Sequence, residues 1–148
     1  MITWTCKTFS ELTNIELYKI LQLRNEVFVV EQKCAYQDCD DKDLEAYHFA
    51  AWKGGNLIAY TRLLPKGISY ADAASIGRVV TSPKERGKDI GKQLMQHSID
   101  KIYALFKKVP IKISGQLYLK KFYESFAFVQ LGAIYLEDDI PHILMEKK

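Results

Sequence analysis

The densest run of potential chemistry in this sequence lies between residues 75 and 95. Ser75-Ile76-Gly77-Arg78-Val79-Val80-Thr81 gives way at Ser82-Pro83 to Lys84-Glu85-Arg86-Gly87-Lys88-Asp89-Ile90-Gly91-Lys92. Ile76, Val79 and Val80 are apolar and largely β-branched, which suits a buried strand. Pro83 lacks an N–H donor and stops the ladder. Arg86, Gly87, Lys88, Gly91 and Lys92 then crowd the entry of a helix, where the first N–H groups are unpaired and the dipole is positive. Glycines let the backbone approach an anion, and the cations attract it from a distance. The expectation is a pyrophosphate cradle. On local chemistry alone, an ordinary strand-to-helix turn with solvated lysines stays open.

Other chemistries fail on spacing. A nucleotide P-loop needs G-x-x-x-x-G-K-[ST], but only three residues intervene between Gly87 and Gly91, and Gln93 follows Lys92. G-x-G-x-x-G and G-x-S-x-G are both absent. The acidic stretch 33–45 carries Asp38, Asp40, Asp41, Asp43 and Glu45. Read as an EF-hand loop from Asp38, it puts Lys42 at a ligand position, Asp43 at the required glycine and Phe49 at the bidentate glutamate, so the calcium reading fails. The expectation is a solvated acidic loop, with a substrate-facing loop as the alternative. His48, His97 and His142 lack zinc spacing, and no metal is expected. His97 falls on a helix and is expected to be structural or exposed. His142 follows Pro141 in a strand and is a candidate to face a cleft. Cys6, Cys34 and Cys39 are odd in number and are expected to be free thiols.

Composition sets the frame. A chain of 148 residues, 48% apolar and 26% charged, suits one globular domain over residues 1–148. No apolar run approaches the roughly 20 residues needed to cross a bilayer, and the first residues lack a signal-peptide pattern, so a cytoplasmic, membrane-free protein is expected. The net charge of +3 is unevenly spread. Residues 1–73 hold 8 Lys/Arg against 10 Asp/Glu, and residues 74–148 hold 13 against 8, which favours the second half for an anionic ligand.

The elements that must position these residues follow from periodicity. Residues 2–8 alternate as a strand. Ser10, or Thr13 behind it, caps a helical region running to about Glu31 in one helix or two. Strands over 47–53 and 57–64 are joined by Gly54-Gly55-Asn56, a hairpin signal. The strand 74–81 leads through the basic turn into a helix over 89–108, whose Ile90, Leu94, Met95, Ile99 and Ile102 share one face. A strand at 110–115 and a short helix at 117–126 come next. A second hairpin, 129–137 and 140–146, turns at Asp138-Asp139. The order β-α-β-β-β-α-β-α-β-β gives an α/β chain of the α+β kind with a mixed sheet, in which strands 74–81 and 110–115 run parallel around their crossover helix.

Four segments together resemble a known family. Arg86-Gly87-Lys88-Asp89-Ile90-Gly91, after Thr81-Ser82-Pro83, resembles the acetyl-CoA-binding motif of GNAT acyltransferases, [RQ]-x-x-G-x-[GA]. The run from Gln116 through Tyr123 to Phe128 resembles that family's later helix, N-x-x-A-x-x-L/F-Y-x-x-x-G-F. Leu23 to Gln32 and Glu137 to Ile143 are similar to the ElaA-like branch. The chain departs at Asp89, where the family usually has glycine, at Gln116 in place of asparagine, and at Ala127 in place of glycine. Asp89 suits the helix dipole but repels a pyrophosphate if it faces inward, and it resists a glycine-only backbone conformation less than most residues do.

The resemblance implies a single GNAT domain with a mostly antiparallel sheet of about six or seven strands, flanked by helices and splayed between its parallel pair. It implies transfer of an acetyl group from acetyl-CoA, with no metal, to a primary amine of a small molecule or peptide. By motif match, Val79, Val80 and Thr81 bind the pantetheine arm, and the Val79 N–H polarises the thioester carbonyl. Arg86, Gly87, Lys88, Asp89, Ile90, Gly91 and Lys92 bind the pyrophosphate, and Gln116 offers its amide. Tyr123 is the expected acid for the leaving thiolate. On periodicity alone it reads as a core tyrosine beside Phe122 and Phe126, and it is the motif match that favours catalysis. A lysine-like amine is neutral in only roughly one molecule in two thousand at neutral pH, so a base or desolvation is needed. Glu31, Arg24 and His142 are the candidates on the substrate side. Two rivals remain: a degenerate GNAT-fold protein that binds CoA without turnover, and a nucleic-acid-binding module. The modest charge and core-like aromatic spacing oppose the latter. A monomer or a homodimer fits equally.

Overall fold

A computed structural model describes all residues 1–148. Seven strands form one sheet in the order β1-β2-β3-β4-β5-β7-β6. They are β1 (Ile2–Thr8), β2 (Tyr47–Lys53), β3 (Asn56–Leu64), β4 (Ala74–Thr81), β5 (Ile111–Gln116), β6 (Val129–Glu137) and β7 (Ile140–Lys147). The helices are α1 (Asn14–Arg24), α2 (Ile90–Phe106) and the short α3 (Lys120–Glu124). Between α1 and the acidic segment the chain widens into a π-helix, Asn25–Glu31, continuous with α1. No helix is long and apolar enough to cross a membrane.

Alternation along the strands divides the core between two faces. Ala50, Tyr60 and Val80 pack with Ile20 and Leu23 of α1 and Val27 of the π-helix. Phe49, Ala51, Ala59, Leu63 and Ile76 turn the other way, onto Ile90, Leu94, Met95, Ile99 and Ile102 of α2. These are the apolar positions that the 3.6-residue period assigns to that helix. Thr13, not Ser10, caps α1. Its Oγ1 accepts the Glu16 N–H at 3.0 Å, and the Glu16 carboxylate accepts the Thr13 N–H at 2.8 Å. This reciprocal capping box satisfies two orphan donors of the helix start, which no bond from Ser10 does.

The β4–β5 pair is parallel, as its crossover helix requires. Its ladder ends after Ala74–Ile111 and Ser75–Lys112, so the two strands then diverge. Opposite this gap β4 is bulged. Between the pairs Arg62–Gly77 and Tyr60–Val80, β3 spends one residue and β4 two, Arg78 and Val79. Arg78 takes φ +51°. The extra residue shifts the phase, so that Val79 packs toward the α2 core and Val80 toward α1.

The acidic segment is not a solvated loop. Three of its aspartates turn inward onto three arginines. Arg24 reaches Asp38 at 2.9 Å and Asp43 at 2.8 Å, and Arg62 reaches Asp40 at 2.7 Å. Arg78 Nη2 donates to the Asp38 carbonyl at 2.9 Å. Burial alone would raise the Asp43 carboxyl, but the hydrogen bonds and charge of Arg24 and Arg62 outweigh it and hold Asp43 below the usual carboxylate range. The segment is thereby stapled to the sheet beside the splayed strands.

Candidate active site

The divergence of β4 and β5 opens a cleft of about 920 Å³, within the range of ligand pockets. Ile76 to Thr81 line one side and Ile113 to Gln116 the other. The π-helix contributes Val27, Phe28 and Glu31. The stapled segment contributes Cys34 and Tyr36, so part of it does face the cleft.

The turn after β4 closes one end. Arg86, Gly87, Asp89, Ile90, Gly91 and Lys92 all line the cleft. Gly87 takes φ +82°, and Asp89 takes φ 61°, ψ 15°, immediately before α2. The Asp89 carbonyl accepts the Gln93 N–H at 3.1 Å, so the helix begins there, with its first-turn N–H groups at the cleft. A Cβ on Gly91 would stand 3.8 Å from Thr81 Oγ1, which places the start of α2 against the end of β4. Lys88 is not in the cleft wall, and its ammonium pairs at 2.8 Å with Glu85, which is part of it.

Two contacts bridge the mouth. The Arg86 guanidinium holds Glu31 in a fork, at 2.6 and 2.7 Å. This pairing keeps the Glu31 carboxyl below its usual range. Glu31 therefore lies in the cleft as a counter-ion of the basic turn, not as a free base. Gln116 donates from Nε2 to Gln32 Oε1 at 3.3 Å.

Tyr123 of α3 reaches the floor of the cleft. It is 5% exposed, and its ring is wedged edge-on between Phe122 and Phe128. Gly115 of β5 makes room for it: a Cβ there would lie 2.8 Å from Tyr123 Cε2. Burial pushes the phenol well above its ordinary value, with the neighbouring Tyr118 adding to the effect, so it is protonated at any working pH. Its hydroxyl has no protein partner, yet it is not among the polar atoms sealed from solvent. It is a free donor aimed at the cleft.

Gly115 faces Tyr123, so the pleat turns Ser114 and Gln116 to the opposite side of β5. His142 stands across from Gln116 in β7, and Tyr135 across from His142 in β6. His142 is 7% exposed, stacks on Tyr135 with ring centroids 6.1 Å apart, and lines the cleft. Its Nδ1 donates to the Ile140 carbonyl at 2.7 Å, and its Nε2 lies 3.5 Å from the Glu137 carboxylate. Ser114 Oγ bonds to the Tyr135 hydroxyl and reaches Glu137 at 3.4 Å. Glu137, Tyr135, Ser114, Tyr36 and Arg78 were not singled out by sequence reasoning. The first two were within its reach: the two-residue turn at Asp138-Asp139 fixes the hairpin register, which puts residue 135 opposite 142.

Arg24 is a correction. It is 0% exposed, takes no part in the cleft wall and spends its guanidinium on Asp38 and Asp43. It organises the acidic segment and meets no substrate. Val79, Val80, Thr81, Gln116, Tyr123, Glu31 and His142 are gathered in the one cleft with the basic turn.

Residues 12–148 match the family model described as an acetyltransferase (GNAT) domain. Protein ElaA of Escherichia coli K12 is 41% identical over 150 residues, covering 100% of this chain and 97% of ElaA. The crystal structure of an acyl-CoA N-acyltransferase from Pseudomonas aeruginosa superposes with a TM-score of 0.95 at 45% identity, covering both chains completely. That of Escherichia coli ElaA superposes with a TM-score of 0.93 at 40% identity, again over 100% of each chain.

Proposed function

The chain belongs to the GNAT acetyltransferase family, and from that premise we propose that it is an acetyl-CoA-dependent N-acetyltransferase acting on a primary amine of a small molecule or peptide, by direct attack with both substrates bound together. The observation that carries this reading is the cleft between β4 and β5, which joins an unpaired helix start at one end to the free Tyr123 hydroxyl at its floor.

The cleft fits such a cofactor on its own features. About 920 Å³ accommodates an extended nucleotide thioester. Gly87 and Gly91 keep side chains out of the turn, where backbone N–H groups would hold the pyrophosphate. The diverged edge of β4 from Val79 to Thr81 would hold the pantetheine arm, and the Gln116 amide would add a contact after leaving Gln32. When bound, acetyl-CoA supplies an acyl carbon activated as a thioester. The Val79 N–H would donate to the carbonyl oxygen as charge develops there. Tyr123 would donate its hydrogen bond to the departing sulfur, protonated because it is buried. This reading sets the enzyme in the cytoplasm, in keeping with its free cysteines.

Asp89 favours a second reading, CoA binding without turnover, because it brings a carboxylate to the helix start. Incubating the protein with acetyl-CoA and a panel of primary amines, while following free thiol, separates the two. Amine-dependent thiol release supports the enzyme, and binding with no release supports the second reading. Tyr123→Phe is expected to lower kcat by about 10²-fold with little change in acetyl-CoA affinity. An unchanged kcat removes Tyr123 from the chemistry.

A further inference from the structure

The faces of β5 separate two kinds of chemistry. Tyr123 packs against Gly115 on one face, while His142, Tyr135 and Glu137 gather with Ser114 and Gln116 on the other. A carbonyl oxygen can only accept a hydrogen bond, so the 2.7 Å contact to Ile140 fixes a proton on His142 Nδ1. In the neutral ring the Nε2 lone pair is then left without a donor. It faces the Glu137 carboxylate at 3.5 Å, and Glu137 is half exposed with no Lys or Arg partner. Around this pair stand the uncharged Tyr135 ring, Ser114 hydroxyl, Gln116 amide and Tyr70 phenol, and the next residue in the turn, Asp138, adds a second carboxylate to the same cleft. Arg78 also lines the cleft, but its charge is matched by Asp38 and Asp40. No free cation on this side waits for an acidic acceptor.

Resting on the acyl-transfer reading, we propose that His142 is the base for the acceptor, that Glu137 receives its ammonium, and that the acceptor is an alkylammonium with no carboxylate beside the nitrogen. One N–H bond of the ammonium breaks, and its proton joins His142 Nε2. The products are a neutral amine, with its lone pair free for attack, and an imidazolium paired with Glu137. The acceptor enters on the face of β5 opposite Tyr123, so the proton is removed and the leaving group is served from opposite sides. An α-amino acid would set its carboxylate against Glu137 and is disfavoured by like charge.

Two measurements test this. Nitrogen-15 NMR of the free protein reads the imidazole tautomer, without cofactor or turnover. The Nδ1–H form at His142 is expected, and an Nε2–H form overturns the proposal. Kinetics at saturating acetyl-CoA then compare wild type, His142→Gln and Glu137→Gln with alkyl diamines, monoamines and amino acids. His142→Gln is expected to lower acceptor kcat/KM by about 10²-fold near neutral pH. The loss should shrink as pH rises toward the acceptor's own pKa, while calorimetric acetyl-CoA affinity holds. Glu137→Gln is expected to raise acceptor KM about 10-fold with kcat little changed. A loss in His142→Gln that is equal at every pH marks a structural role and overturns the assignment, as does retention of wild-type kcat/KM. Preference for amino acids over alkyl amines overturns the acceptor class. A wild type that binds acetyl-CoA but acetylates no amine overturns the acyl-transfer reading itself, and this inference with it.

Discussion

Asp89 is the residue at which backbone and charge can be separated by experiment. It holds φ 61°, ψ 15° at the entry of α2, and its side chain makes no capping bond. The left-handed conformation costs a non-glycine residue about 1 kcal/mol, less for Asp than for most. Glycine removes that strain but returns roughly 0.4–1 kcal/mol through the freer unfolded chain. It also forfeits about 0.3–1 kcal/mol of dipole stabilisation. These terms nearly cancel, so Asp89→Gly should leave stability within about 1 kcal/mol of wild type. Binding should respond more. A carboxylate about 6 Å from a pyrophosphate with about two negative charges is repelled by about 1.4 kcal/mol in bulk water. Screening at physiological salt roughly halves this. Asp89→Gly and Asp89→Asn should therefore both bind acetyl-CoA about threefold more tightly, and the gain should grow at low salt. Calorimetric titration at two ionic strengths reads it. Tightening in the glycine variant alone would show that strain is the handicap. Unchanged or weaker binding in both would refute the repulsion and place the carboxylate away from the cofactor.

Other perturbations probe the supporting structure. Gly115→Ala should push the Tyr123 ring, because the new Cβ would lie 2.8 Å from Cε2 and 3.1 Å from Cδ2. A loss of about 1–3 kcal/mol in stability and a fall in kcat are expected, and combining it with Tyr123→Phe should lower kcat no further than Tyr123→Phe alone. Asp43→Ala removes partners at 2.8 and 3.2 Å from Arg24, which is fully buried. It should cost about 3–5 kcal/mol by denaturant unfolding, and a cost below about 1 kcal/mol would deny the network its role. His48 is buried and neutral, with Nε2 donating to the Asp43 carbonyl at 2.9 Å and Nδ1 accepting from Tyr60 at 2.6 Å. Burial holds its pKa below 6.5. The unfolded chain thus binds a proton that the fold refuses, and stability should fall as pH drops below 6.5 and be flat above it. His48→Gln should flatten that slope, and an unchanged slope assigns it to another group.

Much of the fold was legible from local pattern. Alternation over residues 2–8, the apolar stripe of α2, the two hairpins and the crossover rule together gave every strand and the parallel pair. The Asp138-Asp139 turn, with φ 51° and 62°, is the kind of tight turn its sequence suggested. Long-range features escaped. The insertion of β7 between β5 and β6 depends on which edge a hairpin docks, and no local period encodes that. The π-helix has the apolar pattern of an ordinary helix, and its wider turns show in the backbone bond from the Gln32 N–H to the Val27 carbonyl. The Arg24–Arg62–Arg78 network joins residues up to 40 positions apart in sequence, so its aspartates read as a solvated loop and Arg24 as a candidate on the substrate side. The basic turn was legible because its parts are local, a strand, a glycine turn and a helix start in one stretch, whereas the gap between the parallel strands was expected only from the family resemblance. What that stretch could not show was the proposed acceptor side, which draws its residues from β6 and β7.

The central claim is that the gap between β4 and β5 holds acetyl-CoA. Calorimetric titration of the wild-type protein with acetyl-CoA tests it most directly. The account predicts saturable binding at one site per chain, weakened at high salt because a basic turn and a helix start carry the pyrophosphate. No heat and no thermal stabilisation at millimolar acetyl-CoA would contradict it.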